Sequence, residues 1–176
     1  MTQTRGFTLV EILVVVVIIG LLAVGMVLSL GTAKRDDALE TEARRLDTLI
    51  GYTREHAELA TREYGLRIEA DRYAFLAFDP RRGIWHVLDD DDVLRERTLP
   101  PGLRIRLRIE GREVMLRPPK TGEPLQPQLM LFSNGDVTPF ELTLERAGST
   151  PVAVATLASD DDGAVVLKLP DDGAAR

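Results

Sequence analysis

An uncharged apolar run near the N-terminus is the feature that most constrains how this chain folds. It covers nineteen consecutive residues from Ile12 to Leu30, and Ser29 is its only polar side chain. About 20 apolar residues in a helix cross the ~30 Å hydrocarbon core of a bilayer. A cleaved secretory signal has a shorter apolar region, roughly 7 to 15 residues, with small residues at a cut site beyond it. The sequence therefore predicts a membrane-spanning helix that is retained.

The residues before this run form a specific pattern. A basic residue, a glycine and an aromatic residue lead into the apolar stretch, and one carboxylate lies at its start, in Arg5-Gly6-Phe7-Thr8-Leu9-Val10-Glu11. The pattern resembles the type IV prepilin signal that pilins and pseudopilins share. The resemblance implies that a membrane peptidase cuts after Gly6 on the cytoplasmic side. It also implies that the new N-terminus, Phe7, is methylated.

Glu11 needs a physical explanation, because a carboxylate at mid-bilayer costs about 2.5 to 3.5 kcal/mol, and less near the end of a helix. One interpretation places Glu11 in the first helical turn, where a negative charge interacts favourably with the helix dipole. The other, implied by the resemblance, pairs Glu11 with the N-terminal amine of Phe7 in the same or a neighbouring subunit during assembly. The resemblance favours the second interpretation.

An amphipathic pattern follows the apolar run and then gives way to alternation. Apolar residues recur at spacings of three, four or seven at Leu39, Ala43, Leu46, Ile50, Ala57 and Ala60, which predicts a continuous helix that packs on a core. Gly65 is expected to cap its C-terminus. The predicted segments are a leader at 1–6, a transmembrane helix at 7–33, an amphipathic continuation at 34–63 and a β-rich periplasmic head at 64–176.

Beyond Gly65 the apolar period changes to two, which is typical of strands. The clearest case is Leu103 to Ile109, where leucine and isoleucine alternate with arginine. A long helix followed by strands predicts an α+β fold in which the helix, transmembrane in its first half, packs on antiparallel sheets. The other predicted strands are 66–70, 73–78, 84–88, 113–116, 129–132, 137–144, 152–157 and 165–169.

Short motifs in the head narrow the resemblance to the H group of type II secretion minor pseudopilins. They are Tyr64-Gly65-Leu66, Tyr73-Ala74-Phe75-Leu76, Trp85, Leu99-Pro100-Pro101-Gly102-Leu103, Phe132-Ser133-Asn134-Gly135-Asp136 and Thr138-Pro139-Phe140. The resemblance implies a structural subunit near the pseudopilus tip that assists export of folded proteins across the outer membrane. It implies an inner-membrane protein with one span and a periplasmic head. The implied partners are other minor pseudopilins, the major pseudopilin, the prepilin peptidase, the inner-membrane assembly platform and membrane lipid.

No catalytic constellation is visible, so we predict a protein that is not an enzyme and that has no cofactor or metal site. There is no cysteine, and the two histidines, His56 and His86, do not have metal-ligand spacing. They are expected at the surface or at a sheet edge. Two acidic runs, Asp89 to Asp92 and Asp160 to Asp162, lack the alternation of an EF-hand. They are interpreted as solvated turns, with a weak cation site as the alternative.

A binding role is the main competing hypothesis. Arg104, Arg106 and Arg108 on one predicted strand could form a basic stripe, and some related minor pilins bind DNA. The head from residue 64 onward carries 15 basic and 19 acidic residues, a balance that argues against binding nucleic acid. We therefore expect the stripe to face solvent or an acidic neighbour such as Asp171 and Asp172. The alternatives are a minor pilin of a type IV pilus or DNA-uptake system, and a membrane-anchored periplasmic enzyme.

Overall fold

A computed structural model describes residues 9–88, 91–120, 122–148, 154–160 and 163–170, with helix side chains described for residues 9–20, for residue 22 and from residue 37 onward. Within these residues the chain forms one helix, α1 (Leu9–Ala60), and ten strands. Two compact units are distinguished, Met1–Asp37 and Ala38–Arg176. Among the described residues, no helix meets the combined length and apolarity that a membrane span requires.

The C-terminal end of α1 differs from the prediction. The helix ends at Ala60, where Thr61 adopts a left-handed backbone conformation with φ of 48°. The amide of Arg62 then donates to the carbonyl of Ala57 at 3.1 Å, which closes the last turn. The prediction that Gly65 caps the helix is therefore wrong, because a threonine occupies the left-handed position that glycine usually fills.

Gly65 instead lies inside a strand, where it permits close packing. A Cβ atom at this position would overlap the Pro127 ring and lie 3.2 Å from the carbonyl oxygen of Leu129. A proline ring cannot swing away as a flexible side chain can. Glycine is thus required here because another segment approaches its backbone closely.

The first sheet, sheet A, follows the helix. Its strands are β1 (Tyr64–Ile68), β2 (Arg72–Asp79), β3 (Ile84–Val87), β4 (Arg97–Thr98) and β7 (Leu129–Leu131). The order is β3-β2-β1-β7, and β4 also pairs with β2. The predicted hairpin around Asp71-Arg72 is confirmed by the pairing of β1 with β2, in which Leu66 lies opposite Phe75. The two-residue strand β4 was not predicted.

The second sheet, sheet B, contains the remaining strands. They are β5 (Leu103–Ile109), β6 (Arg112–Val114), β8 (Phe140–Arg146), β9 (Val154–Ser159) and β10 (Val165–Lys168). Their order is β10-β9-β8-β5-β6, and every pairing in both sheets is antiparallel. The strand predicted from Val137 begins only at Phe140. Val137 forms an isolated bridge to Leu131, and Pro139, which lacks an N–H donor, separates the bridge from β8.

One hydrophobic core joins the second part of α1, from Ala38 to Ala60, to both sheets. Leu39, Leu46 and Ile50 on the helix are fully buried, whereas Ala60, which was predicted to share their stripe, is exposed. Along β5, burial alternates residue by residue, with the leucine and isoleucine side chains inside and the arginines outside. The predicted α+β class with antiparallel sheets is therefore confirmed.

Candidate assembly surfaces

The described side chains of α1 at residues 9–20 and 22 are apolar on all sides of the helix, apart from Glu11. Its described large aliphatic side chains are between 44% and 83% exposed, from Leu9 to Ile19 and at Leu22. A helix that is apolar all round does not face water in a stable protein. Exposed apolar area of this extent marks a surface that lipid or other protein chains cover.

Glu11 is the one predicted assembly residue that the structure describes. It occupies the first turn of α1, and its side chain is exposed. A carboxylate in this turn lies at the positive end of the helix dipole, where negative charge is favourable. Gly6 and Phe7, the predicted cleavage and methylation positions, lie outside the described residues, and their roles stay predictions.

A buried polar pair fixes the second part of α1 to sheet A. Glu42 is only 1% exposed, and its Oε1 atom accepts a hydrogen bond of 2.8 Å from the hydroxyl of Tyr73 on β2. Its Oε2 atom accepts from Arg45 at 2.5 Å. Burial, followed by the hydrogen bond to Glu42 and the charge of that carboxylate, raises the pKa of Tyr73 well above its usual value. This pair was not predicted from the sequence, because Glu42 is one of many charged residues in the amphipathic part of the helix and nothing nearby in the sequence distinguishes it.

The Phe132-to-Asp136 motif forms a turn that docks on the end of α1. The hydroxyl and amide of Ser133 donate to the carboxylate of Glu63 at 2.8 and 3.1 Å. The guanidinium of Arg54 donates to the carbonyl of Gly135 at 2.8 Å. Gly135 is buried with φ of 86°, a conformation that favours glycine. The motif thus orients the end of the helix on the head.

His56 belongs to an aromatic cluster, and Arg62 links that cluster to His86. The rings of Tyr52 and His56 stack with centroids 5.9 Å apart, and His56 meets the edge of Tyr64 at 5.5 Å. Arg62 lies over the Tyr64 ring at 5.9 Å and approaches His86 Nε2 at 3.5 Å. His56 is exposed and His86 is half-buried on edge strand β3, which confirms their predicted placement. Among the described residues, no group of three or more metal-ligating side chains comes together.

The arginines of β5 face solvent, as predicted, but their partners differ from the expected ones. Arg106 lies 3.3 Å from Glu113 on β6 and 3.9 Å from Glu145 on β8. Arg108 lies 3.5 Å from Glu141. The carboxylates therefore come from neighbouring strands. Asp171 and Asp172, named as possible partners, lie outside the described residues. Two of the three arginines of the stripe are thus paired with carboxylates, which gives no support to a DNA-binding role.

The acidic runs serve as turns where the structure describes them. The carboxylate of Asp91 accepts from the amides of Val93 and Leu94 at 2.8 and 2.9 Å. That of Asp160 accepts from the amide of Ala164 at 2.7 Å. These bonds are those of Asx-type turns. Residues 89, 90, 161 and 162 lie outside the described residues, so the weak cation site stays an untested alternative.

A prepilin-type start, one long helix and a head of antiparallel sheets define a pilin-like filament subunit. The prokaryotic N-terminal methylation motif matches residues 1–27, and the type II transport protein GspH family matches residues 42–160. The chain therefore belongs to the GspH family and is a type II secretion minor pseudopilin of the H group.

Individual relatives agree with this assignment. The chain is 38% identical over 166 residues to the type II secretion system protein H of Pseudomonas aeruginosa, covering 91% of this chain and 93% of the relative. It is 29% identical over 171 residues to that of Aeromonas hydrophila, covering 94% and 93%.

Solved structures agree with the fold. The crystal structure of the minor pseudopilin EpsH of Vibrio cholerae superposes with a TM-score of 0.65 at 25% identity, covering 78% of this chain and 98% of that one. The solution structure of Escherichia coli GspH gives a TM-score of 0.58 at 18% identity, with coverage of 78% and 92%, and supports the fold alone.

Family membership gives a coarse description of role and location. The family is one of structural pseudopilin subunits, and its partners include other pseudopilins. A pseudopilin with this N-terminal motif is a membrane-anchored periplasmic protein.

Proposed function

We propose that the chain is a subunit near the tip of the type II secretion pseudopilus, where it helps to move folded proteins across the outer membrane. The observation that carries the proposal is the exposed apolar surface of α1 behind a prepilin-type signal. Before assembly, lipid of the inner membrane covers this surface around a single span, and the head lies in the periplasm. After assembly, like helices in the filament cover it. Lipid and helix partners are equally apolar, so the segment leaves the bilayer without meeting water.

Processing comes first in this mechanism. The prepilin peptidase cuts after Gly6, and Phe7 becomes the methylated N-terminus. The new amine then carries a positive charge four residues before Glu11. A charged amine of a neighbouring subunit is a favourable partner for this carboxylate, because opposite charges attract strongly in apolar surroundings and an ammonium donates charge-assisted hydrogen bonds to a carboxylate. The assembly platform of the inner membrane would bring the two subunits together.

The head determines which neighbouring subunits are bound. The helix surface is apolar and offers few directional contacts, whereas the head carries charged and hydrogen-bonding groups that discriminate between neighbours. Other minor pseudopilins and the major pseudopilin are the proposed neighbours. Exchange of residues 1–30 with those of another pseudopilin should preserve insertion and filament entry. Exchange of the head should alter the set of crosslinked neighbours.

The test of the assembly role is Glu11→Ala, with Glu55→Ala as the matched control. Both carboxylates are exposed on α1, but Glu55 lies in the second unit. Loss of a charge-assisted pair worth about 1.5 to 3 kcal/mol should lower recovery in purified filaments by about tenfold to a hundredfold. Membrane insertion should be unchanged, and Glu55→Ala should behave as the parent. Undiminished recovery of Glu11→Ala in filaments would contradict the proposed pairing.

A further inference from the structure

A cationic cleft lies on the face of sheet A that points away from the helix. Leu66 and Ile68 of β1 point into the core, so Arg67 between them points to the opposite face. There it lines an open cleft of about 320 Å³ with Met115, Arg117 and Lys120. Glu123, Gln126 and the rings of three prolines complete the wall. The cleft is therefore part cationic and part apolar.

Arg67 is incompletely compensated within the described part of the chain. Its side chain is 11% exposed, and its Nε atom is buried without a hydrogen-bond partner. The nearest carboxylate oxygen, Oε1 of Glu69, lies 3.5 Å from Nε. The other oxygen of Glu69 lies 3.6 Å from Arg72, so two guanidinium groups share one carboxylate. A buried guanidinium is costly unless its donors find acceptors.

The other cations of the cleft are free for an incoming group. Arg117 donates only to the sulfur of Met115, at 3.3 Å, and a thioether is a weak acceptor. The ammonium of Lys120 has no partner among the residues that the structure describes. The carboxylate of Glu123 accepts from the backbone amide of Lys120 at 3.2 Å. Three cations therefore face the cleft with one carboxylate already engaged by backbone.

We propose that this cleft binds a carboxylate side chain on an extended segment of a partner protein. A guanidinium presents paired N–H donors that match the two oxygens of a carboxylate. The proline and methionine walls supply apolar contact for the residues on either side of that carboxylate. A free anion such as phosphate would use the cations but not these walls. The cleft is a surface of the head, and binding there does not depend on where in the filament the subunit lies.

The test uses the full chain in detergent micelles with ¹³C-labelled methionine methyl groups. The sequence has four methionines, and Met115 lines the cleft, so its methyl signal reports directly on occupancy. The probe is acetyl-Ala-Glu-Ala-amide, and acetyl-Ala-Gln-Ala-amide is its uncharged match. We expect a saturable shift of the Met115 signal with the glutamate peptide alone. Arg117→Gln should weaken binding about tenfold, whereas Arg82→Gln, which lies outside the cleft and is 77% exposed, should not.

Any of the following results would overturn the proposal that the cleft binds a carboxylate of a partner protein. The absence of a saturable Met115 shift would exclude the site, and equal shifts with both peptides would exclude recognition of the carboxylate. Unchanged affinity in Arg117→Gln would exclude the assigned cations. The last comparison uses inorganic phosphate as the ligand. If phosphate bound as tightly as the glutamate peptide, the cleft would be a site for free anions and not for a protein segment. The side chain of Arg67 is only 11% exposed, so Arg67→Gln also perturbs folding, and the test therefore depends on the exposed Arg117.

Discussion

The buried pair of Glu42 and Tyr73 gives a quantitative test of how α1 is fixed to the head. Tyr73→Phe removes one hydroxyl and keeps the ring, which packs edge-on against Phe75 at a centroid distance of 6.3 Å. The change leaves Glu42 Oε1 without its 2.8 Å donor in a position that is 1% exposed. A hydrogen bond to a charged group contributes about 1.5 to 3 kcal/mol. The free energy of unfolding should therefore fall by about 2 kcal/mol.

The assay is urea unfolding of the full chain in mild detergent. Trp85 is the only tryptophan and lies on β3 of sheet A, so its fluorescence reports on the sheet that contains Tyr73. Glu42→Leu and the double variant complete a thermodynamic cycle. Tyr73→Phe leaves the buried Glu42 carboxylate without its donor, and Glu42→Leu removes that carboxylate. The double variant should therefore lose less stability than the sum of the losses in the two single variants. Additive losses would show that the two side chains do not interact, and would refute the reasoning.

Alkaline pH offers an independent measure of how strongly the surroundings of Tyr73 favour its protonated hydroxyl. The pKa of Tyr73 is raised in the folded protein, chiefly by burial and then by the Glu42 hydrogen bond. Its contribution to stability is thus complete below the unfolded pKa of about 10 and is lost as pH rises above it. The loss approaches about 1.4 kcal/mol per pH unit. Tyr73→Phe should remove this part of the alkaline slope, and an identical slope in both proteins would contradict the assignment.

Three further predictions concern processing, packing and the division of the chain. Replacement of Gly6 by leucine should leave the precursor uncut in the membrane, and mass spectrometry showing the mature mass would contradict this. Gly65→Ala should destabilise the head by about 1 to 3 kcal/mol because the new Cβ overlaps Pro127, whereas Gly51→Ala, with open space in exposed helix, should stabilise it by about 0.5 to 1 kcal/mol. A fragment that begins at Lys34 should be soluble and cooperatively folded, since the continuous run of exposed apolar side chains lies upstream, and aggregation under all conditions would count against this division.

Regular patterns in the sequence were sufficient for the fold class. The alternation from Leu103 to Ile109 predicted β5 with its faces assigned correctly, because a period of two can bury only one set of side chains. The spacing of Leu39, Leu46 and Ile50 likewise predicted the buried stripe of α1. These are local signals, in which neighbours along the chain decide which side faces the core.

Features set by distant contacts were not predictable in the same way. Gly65 looked like a helix cap, but its requirement comes from Pro127, sixty-two residues later in the sequence. Thr61 adopts the left-handed conformation, although threonine has no local preference for it. Glu42 and Arg67 resemble ordinary surface charges until the sheet is assembled around them. Their roles depend on residues that face them from distant parts of the sequence. The local pattern of residues along the chain does not reveal those contacts.

The distribution of paired and unpaired charges on the head bears on how a filament subunit selects neighbours. Charges that are already paired within one subunit, such as Arg106 and Arg108 with their glutamates, gain little from a further exposed partner, since surface pairs contribute about 0 to 1 kcal/mol. A cation that lacks a full partner gains more, because a new carboxylate supplies the missing acceptors. In the described part of the head, Arg67, Arg117 and Lys120 are collected in one cleft. Recognition by charge is therefore expected there, and Arg106 and Arg108 should tolerate neutral substitution without any change in the partners bound.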